Sequence, residues 1–518
     1  MTDAGVETHS ASRRFAIALA VIAMIGCVLR FTRLGAQSFW IDEAISFAWV
    51  QELRKNSLGS LLHNIHGPFH ALLLWMLSGI STSEAWMRAP SAIASALTVP
   101  VVGVVAGALG GARVGLTAAV LLAVSPFALY YAQECRNYAL AMLGAIAMIA
   151  AARRFVQQPK AGRAALLAAS ELFAVACNLS GVFFAIGLQA WILIRVRRAR
   201  RALAVWALAH LALGMALAPY ALQITRQVRP ERMIGVETDL GRGAPLRGAT
   251  TLHPMALPYT AYSFAAGYSL GPTLEELRVR PTAALQARHA PALALIALGF
   301  GVPLVLGILR GGRDRGLLVL PAVATALFTM WLAAANMKPF NVRYLSVVAP
   351  AFLIWVAMGI EALPRRVGRF VLVCALVVSG WSSWNYFNVA RYGRDDVRGA
   401  VRFVSEHAGP ADAIVQVALT GSLRWYYDDL GTRPVHPPAA ALSDSGAARA
   451  FATTIASSAP VVWYLECRPE SLDPRGLLRS ALSHRATRVA TTSFVGIRVH
   501  RYEVASTRGG PGDSQTGS

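Results

Sequence analysis

Charge is scarce in this sequence: 15% of its 518 residues are charged, whereas 55% are hydrophobic. Soluble domains rarely combine so little charge with so much apolar content, and the mean hydropathy of +0.47 agrees. The composition therefore excludes an ordinary soluble protein and predicts a polytopic membrane protein.

Acidic residues are the scarcer class of charge, with 27 Asp and Glu against 49 Lys and Arg, which gives a formal net charge of +22. The basic residues occur in short clusters between apolar runs, as they do in the cytoplasmic loops of membrane proteins. We therefore expect membrane lipids around this chain and no nucleic-acid partner.

Cysteine is also rare, with five residues scattered along the chain. Their spacing matches neither a disulfide framework nor a metal site. The cysteines therefore offer no chemistry of their own, and we interpret most of them as small apolar residues within helices.

Apolar runs predict an all-α membrane domain with about 11 transmembrane helices, in a range of about 11 to 13. They extend from residues 15–34 to residues 369–388. Residues 69–80 are apolar but too short to span, so we predict a juxtamembrane helix within a first outer loop at 35–89. The basic clusters between the later spans then fall on the cytoplasmic side.

The expected domains are a disordered N-terminus at 1–12, a transmembrane domain at 13–389, a soluble α/β domain at 390–506 and a disordered tail at 507–518. Within the α/β domain the pattern predicts a helix at 395–408, buried strands at 413–419 and 460–466, and a hairpin at 486–503.

Two adjacent carboxylates, Asp42 and Glu43, follow Phe39 and Trp40 just after the first apolar run. Ionisable residues at the edge of a membrane span are a site hypothesis. Neighbours on a helix lie about 100° apart, so only one of the two can point squarely into a cleft. The alternative is that one or both cap the helix that begins near Ile41.

Two further outer segments carry isolated cations. Arg136, beside Glu134, has the planar donor fork that binds phosphate; the alternatives are an ion pair with Glu134 or a snorkelling anchor. Lys338 and Arg343 lie on the side where topology does not favour positive charge, which indicates a bound anion.

Three histidines, His63, His66 and His70, stand in the first outer loop around a Gly-Pro break. They could bind a metal together with Asp42 or Glu43, but no spacing here matches a strong metal signature. Polar contacts to substrate and plain turn formation are the alternatives.

A general base and several cations beside the bilayer suit a reaction with an anionic leaving group. Polyprenyl-phosphate sugars supply such a leaving group.

The motifs resemble a family, the GT-C membrane glycosyltransferases, in the bacterial branch related to dolichyl-phosphate-mannose protein mannosyltransferases and to the lipid A aminoarabinose transferase. Five segments within residues 15–390 carry the resemblance through their order along the chain: Trp40 to Glu43, His66 to Pro68, Glu84 to Ser91, Tyr131 to Tyr138 and Asn341 to Tyr344.

The resemblance implies the GT-C fold, a polyprenyl-phosphate sugar donor, and inverting transfer to a hydroxyl on the extracytoplasmic face. Asp42 would be the general base, with Glu43 as its catalytic neighbour or support. The candidates for the donor phosphate are Arg136, Lys338 and Arg343. The candidates for substrate contacts are Trp40, His66, Glu134, Tyr138 and Tyr344.

The sequence departs from the family at two positions. Many relatives carry an acidic residue where this chain has Tyr138, and some carry a Glu where it has His66. These departures imply that a metal site or second carboxylate present in relatives is missing here, with Glu134 as the candidate to replace the carboxylate. The cofactor therefore stays open: no strong motif supports a divalent metal with His66 as a ligand.

These observations predict a mannosyltransferase-like enzyme of the bacterial inner membrane, with its active site and α/β domain extracytoplasmic and a lipid, glycan or protein as acceptor. The alternative is a transporter or flippase of lipid-linked sugars, although transport sites usually lie near the bilayer midplane. A non-catalytic assembly or sensor protein is a third interpretation.

Overall fold

The computed structural model describes residues 3–504 except 57, 64–66, 228–251, 272–282, 336–337, 418–425, 427–429, 432, 437, 439–441, 443, 468, 470–472 and 474. The chain divides into two compact units. The first unit is Met1–Gly35 with Trp49–Tyr392, and the second is Ala36–Ala48 with Gly393–Ser518.

Helices account for the first unit. In chain order they are α1 Asp3–Phe31, α2 Ile41–Asn56, α3 Pro68–Leu77, α4 Glu84–Gly110, α5 Ala112–Ala123, α6 Pro126–Ala132, α7 Tyr138–Gln157, α8 Ala161–Cys177, α9 Ser180–Val196, α10 Arg200–Gln227, α11 Ala256–Ala266, α12 Ala283–Ile296, α13 Val302–Leu309, α14 Arg315–Ala334, α15 Ala349–Glu361 and α16 Arg365–Asn388. Short 3-10 helices occur at Leu58–His63, Gly312–Asp314, Val342–Val348 and Ala390–Tyr392, and a π turn at Ala297–Gly301 joins α12 to α13. The boundary between the two units falls within α2.

Among the described residues, eight helices are long and apolar enough to cross a membrane, or nine if α5 and α6, which are bent by 54°, count as one span. The other two predicted spans correspond to α8 and α9, which have 17 residues each. Helix α3, with 10 residues, is shorter than a span, as expected for residues 69–80. The protein is a multi-pass membrane protein, and the prediction of a polytopic helical domain is confirmed.

Helix α1 begins at Asp3, within the segment 1–12 that we expected to be disordered. No proline interrupts residues 3–12, so the helix of the apolar run can continue toward the N-terminus.

A fully buried arginine joins three helices of the first unit. Arg30, near the end of α1, donates to Ser95 Oγ on α4 at 2.7 Å and to the carbonyls of Leu122 and Ala123 at the end of α5 at 3.0 and 2.9 Å. A buried charge is tolerated where hydrogen bonds satisfy it. This contact fixes the end of α1 next to the break between α5 and α6.

The second unit is an α/β domain. Its strands are β1 Ala413–Val417, β2 Val435–His436, β3 Val461–Cys467, β4 Ala486–Phe494 and β5 Ile497–Val504, and its helices are α17 Val397–His407, α18 Ser445–Ser458 and α19 Leu477–Ser483. The expected helix, the two buried strands and the hairpin are confirmed, except that residues 418–419 of the first predicted strand lie outside the described residues.

One five-stranded sheet has the order β2-β1-β3-β5-β4. Strand β1 pairs in parallel with β2 and β3, with Ile414 opposite Trp463, and β5 pairs antiparallel with β3 and β4. Parallel strands are buried on both faces and are therefore rich in β-branched residues. The buried side chains of α18 and α19 share one core with strands β1 and β3.

Candidate functional site

The two carboxylates predicted as the site lie in the first turn of α2. Asp42 is half-buried, whereas Glu43 is fully buried. The Trp40 N–H donates to Glu43 Oε2 at 3.3 Å, so Glu43 makes the capping interaction foreseen as an alternative. Glu43 Oε2 also lies 3.5 Å from the guanidinium of Arg394. The adjacent acids therefore have different surroundings, and Glu43 is fixed by two partners.

The segment 133–138 of the first unit is held through its backbone. Ser91 Oγ donates to the Arg136 carbonyl at 2.8 Å, and Asn137 Nδ2 donates to the Cys177 carbonyl at 2.6 Å. The Arg136 N–H bonds to the Glu134 carbonyl at 2.7 Å, which makes a tight turn between them. The side chain of Gln133 donates to the carbonyls of residues 30 and 32 at 3.2 and 2.7 Å. Hydrogen bonds therefore fix the backbone that carries Arg136.

Aromatic rings surround this turn. The Arg136 guanidinium lies 5.9 Å from the ring centre of Tyr138, and Tyr138 packs edge-on against Tyr131 at 5.0 Å. The Tyr131 hydroxyl contacts the Tyr268 hydroxyl at 2.9 Å, and the Tyr130 ring lies 5.0 Å from that of Tyr268. Side chains of this kind present flat apolar faces with polar tips.

Glu134 belongs to the same cluster. It is 1% exposed, and so more deeply buried than Tyr131 and Tyr138, which are 4% and 3% exposed. Burial raises the pKa of Tyr268 well above its ordinary value, and nearby groups, including the carboxylate of Glu134, add to that shift. The turn therefore combines a buried acid, a buried guanidinium and several tyrosines.

Tyr130, Tyr131 and Tyr268 were not among the residues predicted for the site. Tyr131 is the first residue of the motif Tyr131 to Tyr138 and Tyr130 precedes it directly, so the pair of tyrosines was a signal that could have been used. Tyr268 is more than one hundred residues away in the sequence, and only the packing of α11 against α6 brings the two regions together.

The Gly-Pro break before α3 packs against this turn. A Cβ atom added to Gly67 would lie 2.0 Å from the Cys177 carbonyl oxygen and 2.8 Å from Asn137 Nδ2. His66, a predicted substrate or metal contact, lies outside the described residues. His70 in the first turn of α3 is 5% exposed. Burial, together with the nearby charge of Arg136, lowers the pKa of His70 to about 3, so this histidine is a neutral neighbour of Arg136.

Lys338 and Arg343 are brought together around one ring. Asn341 accepts a hydrogen bond from the Arg343 N–H at 3.1 Å and so begins the 3-10 helix Val342–Val348. Lys338 Nζ lies 4.9 Å and the Arg343 guanidinium 5.7 Å from the ring centre of Tyr344. This 3-10 helix contacts α7, the helix that begins at Tyr138.

The first unit therefore offers cations that are positioned by aromatic and backbone contacts near the ends of its helices. Such groups suit an anion, because they are already oriented and a low-dielectric surrounding strengthens their attraction. Within the described part of the chain, no group of three His, Cys, Asp or Glu side chains is placed to hold a metal ion, and we assign no chemistry to a metal.

Solved structures show the fold. No family model matches the sequence, and no curated protein sequence does. The crystal structure of ArnT from Cupriavidus metallidurans in the apo state is similar, with a TM-score of 0.56 and 12% identity over 95% of this chain and 98% of that one. The chain has the GT-C fold.

Two further GT-C structures agree. ArnT from Cupriavidus metallidurans bound to undecaprenyl phosphate aligns with a TM-score of 0.53 and 14% identity, over 94% of this chain and 98% of that one. The archaeal oligosaccharyltransferase AglB from Archaeoglobus fulgidus, in complex with an inhibitory peptide and a dolichol-phosphate, aligns with a TM-score of 0.50 and 12% identity, over 95% of this chain and 74% of that one. The GT-C fold expected from the order of the motifs is confirmed.

Proposed function

We propose that this protein is a membrane glycosyltransferase that moves a sugar from a polyprenyl-phosphate donor to an acceptor hydroxyl on the extracytoplasmic face of the bacterial inner membrane. The observation that carries the proposal is Arg136, a buried guanidinium on a fixed turn with tyrosines beside it, in a chain with the GT-C fold. Similar folds have been solved with undecaprenyl phosphate in ArnT and with dolichol-phosphate in AglB.

The reaction needs one base and no protein acid. Asp42 accepts the proton of the acceptor hydroxyl, and the acceptor oxygen forms a bond to the anomeric carbon. The bond between that carbon and the phosphate oxygen breaks, and the electron pair leaves with the polyprenyl phosphate. A single displacement inverts the configuration at the anomeric carbon.

The cations stabilise the charge that develops on the leaving phosphate. Arg136 is the principal candidate because it is buried and its backbone is fixed, with Lys338 and Arg343 as further candidates. The ring of Tyr138 contacts the Arg136 guanidinium, and the ring of Tyr344 contacts that of Arg343. Glu134 is a candidate for a sugar hydroxyl, as are Trp40 and His66. Glu43 supports Asp42 through its cap on the Trp40 N–H.

The test is complementation of a strain that lacks the gene, read out by glycan and lipid profiling. The wild-type chain should restore the missing sugar modification, whereas Asp42→Asn should not, although it reaches the membrane in equal amounts. The matched control is Glu52→Gln, an exposed carboxylate on the same helix, which should behave as wild type.

Restored modification with Asp42→Asn would overturn the assignment of the base. A transporter of lipid-linked sugar would instead move a labelled polyprenyl-phosphate sugar across vesicles without transferring it to any acceptor, and that outcome would replace the proposed function.

A further inference from the structure

The segment that carries Asp42 belongs to the same compact unit as the C-terminal α/β domain, although more than 340 residues separate them. Ser38 lies at the centre of the connection. Its hydroxyl donates to the Asp395 carbonyl at 2.9 Å and accepts from the Val397 N–H at 3.0 Å. Arg398 donates to the Ala36 carbonyl at 2.8 Å. The chain entering α2 is thus tied to the start of α17.

Phe39, two residues before α2, is fixed in two ways. Its N–H donates to the Tyr426 hydroxyl at 2.9 Å. Its ring is completely buried and packs edge-on against Phe47, with the centres 4.9 Å apart. Backbone and side chain are therefore both held within this unit.

Arg394 and Glu43 make a charged contact between the two segments. The guanidinium lies 3.5 Å from Glu43 Oε2, and the two side chains are 4% and 0% exposed. The Arg394 N–H also donates to Gln37 Oε1 at 3.2 Å. A buried pair of this kind costs desolvation and adds little net stability, but it fixes the carboxylate that caps the first turn of α2. Asp42 directly precedes Glu43 on that turn.

We propose that the C-terminal α/β domain is the positioning element for Asp42, and that Arg394, through Glu43, is the positioning residue. The two acids of α2 are about 100° apart around the helix, so Glu43, held on the inner side, sets the direction of the half-buried Asp42 side chain. This inference rests on the proposed function, because it assigns Asp42 the role of base.

The test compares Arg394→Gln with the control Arg402→Gln, which removes an exposed arginine paired with Glu406 on α17. The assay is sugar transfer by the full chain in membranes. In Arg394→Gln we expect kcat to fall by about 100-fold with little change in the KM for the donor, because misplacing a catalytic group by about 1 Å has an effect of this size. Arg402→Gln should leave both constants unchanged.

A double variant separates positioning from general damage. Arg394→Gln leaves the buried Glu43 carboxylate without the guanidinium of Arg394, whereas Arg394→Gln with Glu43→Gln replaces the ion pair by two neutral amides. We expect the double variant to recover part of the lost kcat. If the loss of kcat in the double variant equals the product of the losses in Arg394→Gln and Glu43→Gln, the proposed coupling between the two residues is wrong.

Hydrogen exchange supplies a readout that does not depend on activity. In Arg394→Gln the amides of residues 39–48 should exchange faster, whereas those of β3 at Val461–Cys467 should keep their protection. If Arg394→Gln does not fold, Tyr426→Phe serves in its place, since it removes only the hydroxyl that accepts from Phe39; kcat should then fall by about 3- to 10-fold. Wild-type kcat in the folded variant would overturn the inference.

Failure of this inference and failure of the proposed function give different results. If Asp42→Asn is inactive while Arg394→Gln and Tyr426→Phe are fully active, only the positioning role is wrong. If Asp42→Asn keeps its activity, the base itself is wrong, and the positioning role falls with it.

Discussion

We expect the substitution Gly67→Ala to disrupt the proposed phosphate site, because an added methyl group has no room at this position. Its φ of +118° lies in a region that L side chains rarely adopt, and a residue forced into such a region costs about 1 to 3 kcal/mol. The added Cβ would also lie 2.0 Å from the Cys177 carbonyl oxygen. That oxygen must then move by more than about 1 Å to reach ordinary van der Waals contact.

The displaced carbonyl is the one that accepts the hydrogen bond from Asn137 Nδ2 at 2.6 Å. Losing that bond adds about 0.5 to 1.5 kcal/mol, so we expect Gly67→Ala to destabilise the first unit by about 2 to 4 kcal/mol. Because Asn137 follows Arg136 directly, sugar transfer should fall as well.

The assay is thermal unfolding of the detergent-solubilised protein, followed with a thiol-reactive dye. The dye is suitable because Cys135, Cys177, Cys374 and Cys467 are buried and react only when the chain opens. Gly67→Ala should lower the apparent Tm by several degrees.

The matched control is Gly162→Ala, in the first turn of α8, where the added Cβ meets nothing within 4 Å. It should leave the protein unchanged or slightly more stable, by up to about 1 kcal/mol. Equal apparent Tm values for the two variants would refute the packing described around Gly67.

Three further predictions concern single side chains. Arg136→Lys keeps the charge but loses the planar fork, so transfer should fall by about 10- to 100-fold in membranes, whereas the exposed Arg154→Lys should be neutral; equal rates would count against a phosphate contact. His70 has a folded pKa of about 3 against an ordinary 6.5, so its contribution is present above pH 6.5 and is lost as pH falls. At pH 4.5 the wild type should have lost about 2 to 3 kcal/mol relative to His70→Gln in thermal unfolding, and parallel curves would contradict this. The pKa of Glu466 is held below its ordinary value by the hydrogen bond from His500 and by nearby arginines, so its contribution is present above pH 4.5. The stability advantage of wild type over Glu466→Gln should therefore decline as the pH falls below 4.5, and an advantage that stays constant from neutral pH into the acid range would disprove the charge assignment.

Much of the fold could be predicted from the sequence because the bilayer imposes a simple rule. A membrane span needs about twenty apolar residues, and such runs can be counted along the chain. The short helix Pro68–Leu77 could be separated from the spans for the same reason. The strands Ala413–Val417 and Val461–Cys467 could also be predicted, because parallel strands form continuous runs of β-branched and aromatic residues.

The sequence by itself also determined which residue types could form the site, namely two acids after an aromatic pair and a few cations in segments between spans. Only the tertiary structure decided their surroundings. No local pattern shows that Gly67 packs on Asn137 and Cys177, or that Tyr268 reaches Tyr131. These contacts join segments far apart in the chain, and their energy exists only when the helices between them have packed.

The same reason applies to the two acids. Their spacing showed that they must differ, because neighbours on a helix point in different directions. It could not show which of them would be buried, because that depends on Arg394 in a different part of the chain. Sequence periodicity records local geometry, whereas burial and pairing are properties of the folded chain.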